Sequence, residues 1–365
     1  MSNWDFNWIT DWDTIWSEAF QHEWMGWMEA DPESHVFFHP ALVKAWVETY
    51  LPLRRIDPRF LVARQGGTTV FLPLILWRRN WKNAWQRLLV PVGYSDFDYH
   101  DPIWAGSRDE KAEAGFWKAL DEWAGSELAA GRVDGARLSG LRLGGSSIPS
   151  GMLHETGEKC PQRSLEGCAD GESFLKKLKG SLRGDVRRQM RRLEEQGPLE
   201  FRLYAPEEIA EAKTALKPFL EAHETRWPRA YRAPGYHLRL IEQGLAGGVL
   251  HFSELRVAGK AISWHLGFIW KDRFYYYCPA YSDAFANLSP SKMHLFFCVR
   301  DAIERRLKVF DLLQGAEAYK MDWADATTAL YEWRRQAPGA LSRLRNGWVN
   351  QWRPALERRF RSVTV

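Results

Sequence analysis

Apolar residues along the chain switch between a two-residue and a roughly four-residue period, and the switches mark out elements. In the first half, positions 40–50 read as a helix. Positions 59–64 and 68–77 read as strands around the turn Gln65-Gly66-Gly67, 88–92 as a further strand, 111–128 as a helix and 135–143 as a strand. Trp4, Trp8, Trp12 and Trp16 stand four apart with Asp5, Asp11 and Asp13 between them, a spacing that predicts one face of a helix. The second half opens with a helix over about 173–195. Phe174, Leu178, Leu182, Val186 and Met190 step along one face of it, and Lys176, Lys179, Arg183, Arg187 and Arg191 along another. A helix over 206–227 follows and brings His223, Arg226 and Trp227 within one turn; strands follow at 248–257 and 261–270.

The most informative pattern lies at 274–320. It reads as a strand (Phe274-Tyr-Tyr-Tyr-Cys-Pro-Ala-Tyr281), a loop (Asn287-Leu-Ser-Pro-Ser-Lys292), a helix to 308, a strand (Val309-Phe-Asp-Leu-Leu313) and a second loop through Gln314, Gly315, Glu317, Tyr319 and Lys320. Pro290 suits a first helical position, where its missing N–H would have no partner in any case. The backbone N–H groups of such a helix start suit an anion. Asp311, Gln314, Glu317, Tyr319 and Lys320 then cluster at the end of the second strand. A well-capped βαβ unit explains the spacing equally well, and the spacing alone favours it.

Composition narrows the class. With 365 residues, 45% hydrophobic and 26% charged, the chain can build two ordinary domains. A net charge of +4 permits an anionic ligand without demanding nucleic acid. The four cysteines, at 160, 168, 278 and 298, form no C-x-x-C pair, so neither a redox motif nor a metal site is expected. The start of the chain has no basic segment leading into an apolar run, and the longest apolar stretch, 70–77, is too short to span a bilayer. A cytoplasmic protein is the expectation. Twenty tryptophans are many for this length. The loop 93–101, with Tyr94, Asp96, Asp98, Tyr99 and Asp101, could hold sugar hydroxyls, although turn chemistry also explains it. Near the end, Leu341, Leu344, Trp348, Trp352, Leu356 and Phe360 make a helical stripe among arginines. Such a helix can lie on an anionic membrane or pack on the protein's own surface. Leu61-Val-Ala63 before Gly66-Gly67 echoes Leu255-Arg-Val-Ala-Gly-Lys260, which suggests a tandem repeat.

These residues carry a resemblance. The Ser181-Leu-Arg183…Arg187…Arg191 helix, His223…Arg226-Trp227, Ser289-Pro290 and Phe310-Asp311…Gly315…Tyr319-Lys320 resemble the acetyltransferase domain of the GNAT superfamily. The likeness is to its CelD-like and BioF2-like branch, which is related to the FemAB aminoacyltransferases. It implies an α+β (mixed α/β) fold of two tandem GNAT-like domains, each a mostly antiparallel sheet flanked by helices. The expected divisions are 1–30 (Trp-rich helical segment), 31–165 (companion domain), 166–335 (acyltransferase domain) and 336–365 (basic amphipathic tail). It further implies an acyl thioester between splayed strands at 275–279 and 309–313, with the CoA pyrophosphate on Leu288, Ser289, Ser291 and Lys292. Ser291 stands where relatives often have Gly. No metal is implied.

Acyl transfer needs a base, donors for the tetrahedral oxyanion and an acid for the leaving thiolate. Asp311, Glu317 and His265 are the candidate bases, Lys320 or strand N–H groups the oxyanion donors, and Tyr277 or Tyr319 the acid. Arg183, Arg187, His223, Arg226, Trp227 and Gln314 are candidate substrate contacts. The expected activity is acyl-CoA-dependent N- or O-acyl transfer to a sugar, polysaccharide precursor or cell-envelope intermediate, with peripheral contact at the inner membrane face through the tail. Two other readings stand beside it: FemAB-like transfer from aminoacyl-tRNA, and a non-enzymatic interaction protein derived from a transferase.

Overall fold

The computed structural model describes residues 4–142, 151–227 and 233–355. In chain order, the first elements are β1 (Asp5–Ile9), α1 (Trp12–Trp16), α2 (Glu18–Ala30), α3 (Pro40–Tyr50), β2 (Arg55–Gln65), β3 (Thr68–Arg78), β4 (Arg87–Pro91), β5 (Ile103–Ala105), α4 (Glu110–Ala129) and β6 (Gly135–Leu141). Then come β7 (Leu153–Ser164), α5 (Gly171–Lys177), α6 (Gly180–Glu194), β8 (Leu199–Leu203), α7 (Ile209–Arg226), α8 (Tyr236–Ala246), β9 (Leu250–Val257), β10 (Lys260–Trp270) and β11 (Arg273–Tyr281). The last are α9 (Pro290–Glu304), β12 (Val309–Asp311), α10 (Ala318–Trp323), β13 (Ala326–Gln336) and α11 (Ala340–Gly347).

The chain divides into unit 1 (residues 1–43, 50–156 and 330–365) and unit 2 (44–49 and 157–329). Both repeat one mixed α/β topology. In unit 1 the strand order is β1-β2-β3-β4-β6-β13, antiparallel throughout except for the parallel pair β4–β6. In unit 2 it is β8-β9-β10-β11-β12-β7, again antiparallel except for the parallel pair β11–β12. In each unit the helix that precedes the second member of the parallel pair (α4 or α9) is the crossover such a pair requires. The echoing sequences at 61–67 and 255–260 fall on the first strand of the β2–β3 and β9–β10 hairpins and the turn after it.

The tryptophan-rich start differs from the helix its spacing predicts. A spacing of four is also an even number, so it satisfies the two-residue period of a strand. Asp5–Ile9 pairs antiparallel with β2, and Trp4, Phe6 and Trp8 share one face. Trp8 stacks on Trp123 of α4 at 4.1 Å, and Trp4 meets Phe116 edge-on at 5.6 Å. Only Trp12 and Trp16 are helical, on the short α1.

The helix expected over 173–195 is two helices. Leu178 and Lys179 are extended between them, and Asp170 closes the start of α5 in a capping box with Ser173. The 93–101 loop is packed, with Phe97, Tyr99, His100 and Asp101 buried. Near the chain's end, α11 docks on unit 1 through its polar side. Ser342 donates to Asp134 at 2.6 Å, Arg345 pairs with the same carboxylate at 3.1 Å, and Asn346 bonds Gln86. Leu341, Leu344, Trp348 and Trp352 are left exposed; Leu356 and Phe360 lie outside the described residues.

Candidate active site

The site in unit 2 begins with a parallel pair that stops early. β11 and β12 pair as Arg273↔Val309, Phe274↔Phe310 and Tyr275↔Asp311. Beyond Tyr275, β11 continues to Tyr281 paired with β10, while the chain after Asp311 bonds towards β7, Leu312 N–H donating to the Pro161 carbonyl at 2.9 Å. The strands therefore part at residues 275 and 311. Leu313 takes a left-handed φ of +60°, and its N–H donates to the Asp311 carboxylate at 2.9 Å, which turns the chain sharply away.

α9 starts beside this gap. Its N-cap, Ser289, has a left-handed φ of +51° and makes no side-chain cap, and no acidic residue sits in the first turn. Pro290 has no N–H, and Met293 is the first residue whose N–H reaches back to the Ser289 carbonyl. The Ser291 and Lys292 N–H groups therefore have no carbonyl four residues back within the helix, the arrangement that accepts an anion. The Lys292 ammonium is held by Asp185 of α6. Leu288 is buried beneath the turn.

Tyr276 reaches this point from β11. Its ring stacks on His265 at 4.2 Å with planes 9° apart, and its hydroxyl is buried beside the Ser291 side chain. Burial pushes its ionisation well up, Tyr319 adds to the rise, and the Ser291 side chain opposes it. Tyr276, Ser291 and Tyr319 thus act on one another at the gap. Strand alternation on β11 is the signal that identifies Tyr276: Phe274 and Tyr276 face α9, whereas Tyr275 and Tyr277 face the other side, with Tyr277 against Phe268 at 5.2 Å.

The polar cluster after β12 is tied together. Lys320 is buried; its ammonium donates to the Gln314 carbonyl at 2.6 Å and pairs with Glu317 at 3.1 Å. It clamps the 312–317 turn onto α10. Tyr319 stays 40% exposed, and burial of its hydroxyl, then Glu317, raises its ionisation. Asp311 is buried and pairs with Arg273 at 3.1 Å. Glu317 is the exposed carboxylate of this group.

The remaining candidates lie elsewhere in unit 2. Arg183 donates to the Lys176 carbonyl at 3.3 Å, and Arg187 pairs with Glu172 at 2.6 Å. His223 is buried at the end of α7, 5.9 Å from the Phe219 ring, and burial lowers its pKa. Trp227 is exposed, and the Arg226 side chain lies outside the described residues. His265 sits in the core between β10 and α9. Burial, then His251 and His294, hold its pKa far below the usual imidazole value, so it is neutral. Among the described residues, His251, His265 and Cys298 bring three potential metal-ligand atoms within 4.8 Å of one another.

Residues 180–321 match the family described as Acetyltransferase (GNAT) domain. These residues form a GNAT acetyltransferase domain. The match begins at α6 and runs through β11 and β12, the α9 start and most of α10, so the gap strands, the helix start and the Asp311–Lys320 cluster lie inside this acyltransferase domain, while β7 and α5 precede it. Solved structures share the fold over more of the chain. FemX superposes with a TM-score of 0.61 at 10% identity, covering 86% of this chain and 95% of that one. A conserved protein of unknown function from Bacteroides thetaiotaomicron VPI-5482 superposes at 0.52 and 12% identity, covering 86% and 96%. No curated protein matches this sequence. Among the described residues, no helix is long and apolar enough to cross a membrane.

Proposed function

We propose that the GNAT domain transfers an acyl group from acyl-CoA to an amine or hydroxyl acceptor. The donor's pyrophosphate would sit on the Ser291 and Lys292 N–H groups and its thioester in the gap between β11 and β12. The observation that carries this reading is the coincidence of that gap, an uncapped helix start and a buried Tyr276 hydroxyl beside Ser291. The acceptor nitrogen or oxygen attacks the thioester carbon, the C–S bond breaks, and the thiolate takes a proton. Tyr276 and Tyr319, both with raised ionisation, keep their protons at neutral pH and can supply it. Glu317, exposed although paired with Lys320, is the carboxylate that can take the proton the acceptor loses, since Asp311 is buried and engaged by Arg273 and the Leu313 N–H. The acceptor class, a sugar, polysaccharide precursor or cell-envelope intermediate, rests on family resemblance. Purified protein given acetyl-CoA and longer acyl-CoA thioesters with an acceptor panel is expected to release free CoA. No release, together with no CoA binding, would overturn the reading.

The fold shared with FemX favours a second reading, an aminoacyl-tRNA donor. That reading requires salt-sensitive tRNA binding along α6, weakened by Arg183→Ala and Arg187→Ala. Absence of tRNA retention at low salt would count against it.

Unit 1 supports peripheral contact with an anionic bilayer. Leu53, Trp81, Trp85, Leu341, Leu344 and Trp352 are 48–66% exposed. Leu53, Trp85 and Leu341 border one cleft, whose other lining residues include Arg54, Arg55, Arg78, Arg79, Arg87 and Arg345 and no carboxylate. Trp348 and Arg353 fix the turn at Lys82 by bonding its carbonyl at 3.2 and 3.3 Å, so the two tryptophan segments adjoin. Interfacial tryptophans with an arginine rim match anionic headgroups. Vesicles containing phosphatidylglycerol are expected to sediment the protein and pure phosphatidylcholine vesicles to leave it in solution. Unchanged binding by the Trp81→Ala, Trp85→Ala double variant would sink this contact.

A further inference from the structure

We propose that His251, His265 and Cys298 hold one soft metal ion, zinc or cuprous copper, in the core of unit 2 between β9, β10 and α9. His251 stands on β9 opposite Gly267, His265 on β10 opposite Ser253, and Cys298 on the buried face of α9. One ligand atom from each lies within 4.8 Å of the other two. Bound to one ion at about 2.0–2.3 Å, such donors stand closer still, so loading draws the side chains together.

Three observations separate this group from ordinary core histidines. The first is unused donor capacity. His251 Nδ1 and both ring nitrogens of His265 are buried without a hydrogen-bond partner among the described residues. Buried polar atoms are normally paired, and an ion is one way to satisfy several at once. The neighbouring His294 shows the contrast: its two ring nitrogens meet Ser253 at 2.9 Å and Ser263 at 3.0 Å.

The second is a carboxylate partner on one of the ligands. The His251 Nε2 atom lies 3.1 Å from the Asp301 carboxylate, which Arg305 also holds at 2.6 Å. A carboxylate at Nε2 keeps the proton there and leaves Nδ1 as a bare lone pair, the arrangement that orients metal-bound histidines.

The third is charge and space. A zinc ion with the Cys298 thiolate carries one positive charge, which the partly buried Asp301 carboxylate bonded to His251 helps offset; cuprous copper with the thiolate is already neutral. Binding breaks the Cys298 S–H bond and releases its proton. Gly267 leaves room for the His265 ring, because a Cβ there would stand 2.3 Å from it. Tyr276 stacks on the face of that ring, so the group adjoins the gap between β11 and β12.

Full-length protein is incubated separately with zinc alone and with cuprous copper alone, freed of excess metal, and its content measured by elemental analysis. About one equivalent of one ion is expected, and the arm that retains it names the ion. The Asp301→Asn variant is expected to bind roughly 10- to 100-fold more weakly. A variant with Cys160, Cys168 and Cys278 all replaced by Ala keeps Cys298 and is expected to retain the ion in full. X-ray absorption on that variant is expected to show one sulfur and additional nitrogen ligands, a result independent of whether Cys298→Ser folds. Less than about one tenth of an equivalent in both arms, full retention by Cys298→Ser, or no sulfur ligand would each overturn the proposal.

Discussion

The helix before the second parallel strand starts in opposite ways in the two units. In unit 1, α4 is closed by Asp109, whose carboxylate accepts from the Ala112 N–H at 2.7 Å, and Glu110 and Glu113 occupy its first turn. In unit 2, α9 starts at Ser289 with no side-chain cap and no acid in the first turn. Carboxylates complement a helix start and exclude other anions from it; a bare start invites them. The gaps differ in the same sense. Past its two pairs with β4, β6 is met by the 93–101 loop. There the His100 N–H donates to the Gly140 carbonyl at 3.0 Å, and the ring Nδ1 lies 2.8 Å from the Ser139 carbonyl. Gly93, at φ +76°, lets the Phe97 ring sit where a Cβ would be 1.9 Å away. One topology thus occurs twice, plugged and self-capped in unit 1, parted and uncapped in unit 2. A shared fold does not imply a shared site.

The comparison can be broken at several points. Asp134 anchors α11 in unit 1 and is fully buried, accepting from Arg87, Ser342 and Arg345. Asp134→Ala is expected to cost about 3–5 kcal/mol in urea unfolding, because it strands two arginines, while CoA binding by the folded protein stays unchanged. Lost CoA binding in folded variant would contradict the assignment of the donor to unit 2. Burial pushes the Asp134 carboxyl up, but the bonds from Ser342, Arg87 and Arg345 outweigh it and hold its pKa below the usual value. Its stabilising contribution is therefore complete above an unfolded-state pKa of about 3.9 and is lost as pH falls through the depressed folded value. Acid unfolding of Asp134→Asn should consequently show a shallower decline at the acid end than the native chain.

Tyr276→Phe removes a buried hydroxyl beside Ser291. It is expected to leave stability unchanged or slightly raised and to lower kcat roughly 100-fold. Equal kcat would remove Tyr276 from the chemistry. Ser291→Glu gives α9 the acidic first turn of α4 and is expected to weaken CoA binding roughly 30-fold, about 2 kcal/mol, as titration calorimetry would show. The reciprocal change, Asp109→Ala, is expected to cost only about 1 kcal/mol of stability, with CoA affinity unaltered.

Much of the frame was legible in the chain. The hairpin strands around Gly66-Gly67, α4, β9, β10 and the 274–313 run follow from apolar alternation, turn residues and Pro290, all local signals. What escaped was non-local. β7 and β13 are strands only because each completes a sheet begun elsewhere in the sequence, and β1 hides behind a tryptophan spacing that suits helix and strand alike. At the site, the Ser289-Pro290 start and the Tyr319-Lys320 pair were readable as a motif. The role of Tyr276 was not, because Tyr275, Tyr276 and Tyr277 are chemically alike and only the pleat decides which faces α9. The His251, His265 and Cys298 group has no motif spacing at all; three separate elements bring it together.

Hydrogen–deuterium exchange with and without CoA tests the contrast between the two helix starts most directly. Slowed exchange at the backbone of 288–293, with 109–113 unaffected, is the expected result. Protection at 109–113, or at neither start while CoA is bound, would contradict the placement of the donor at α9.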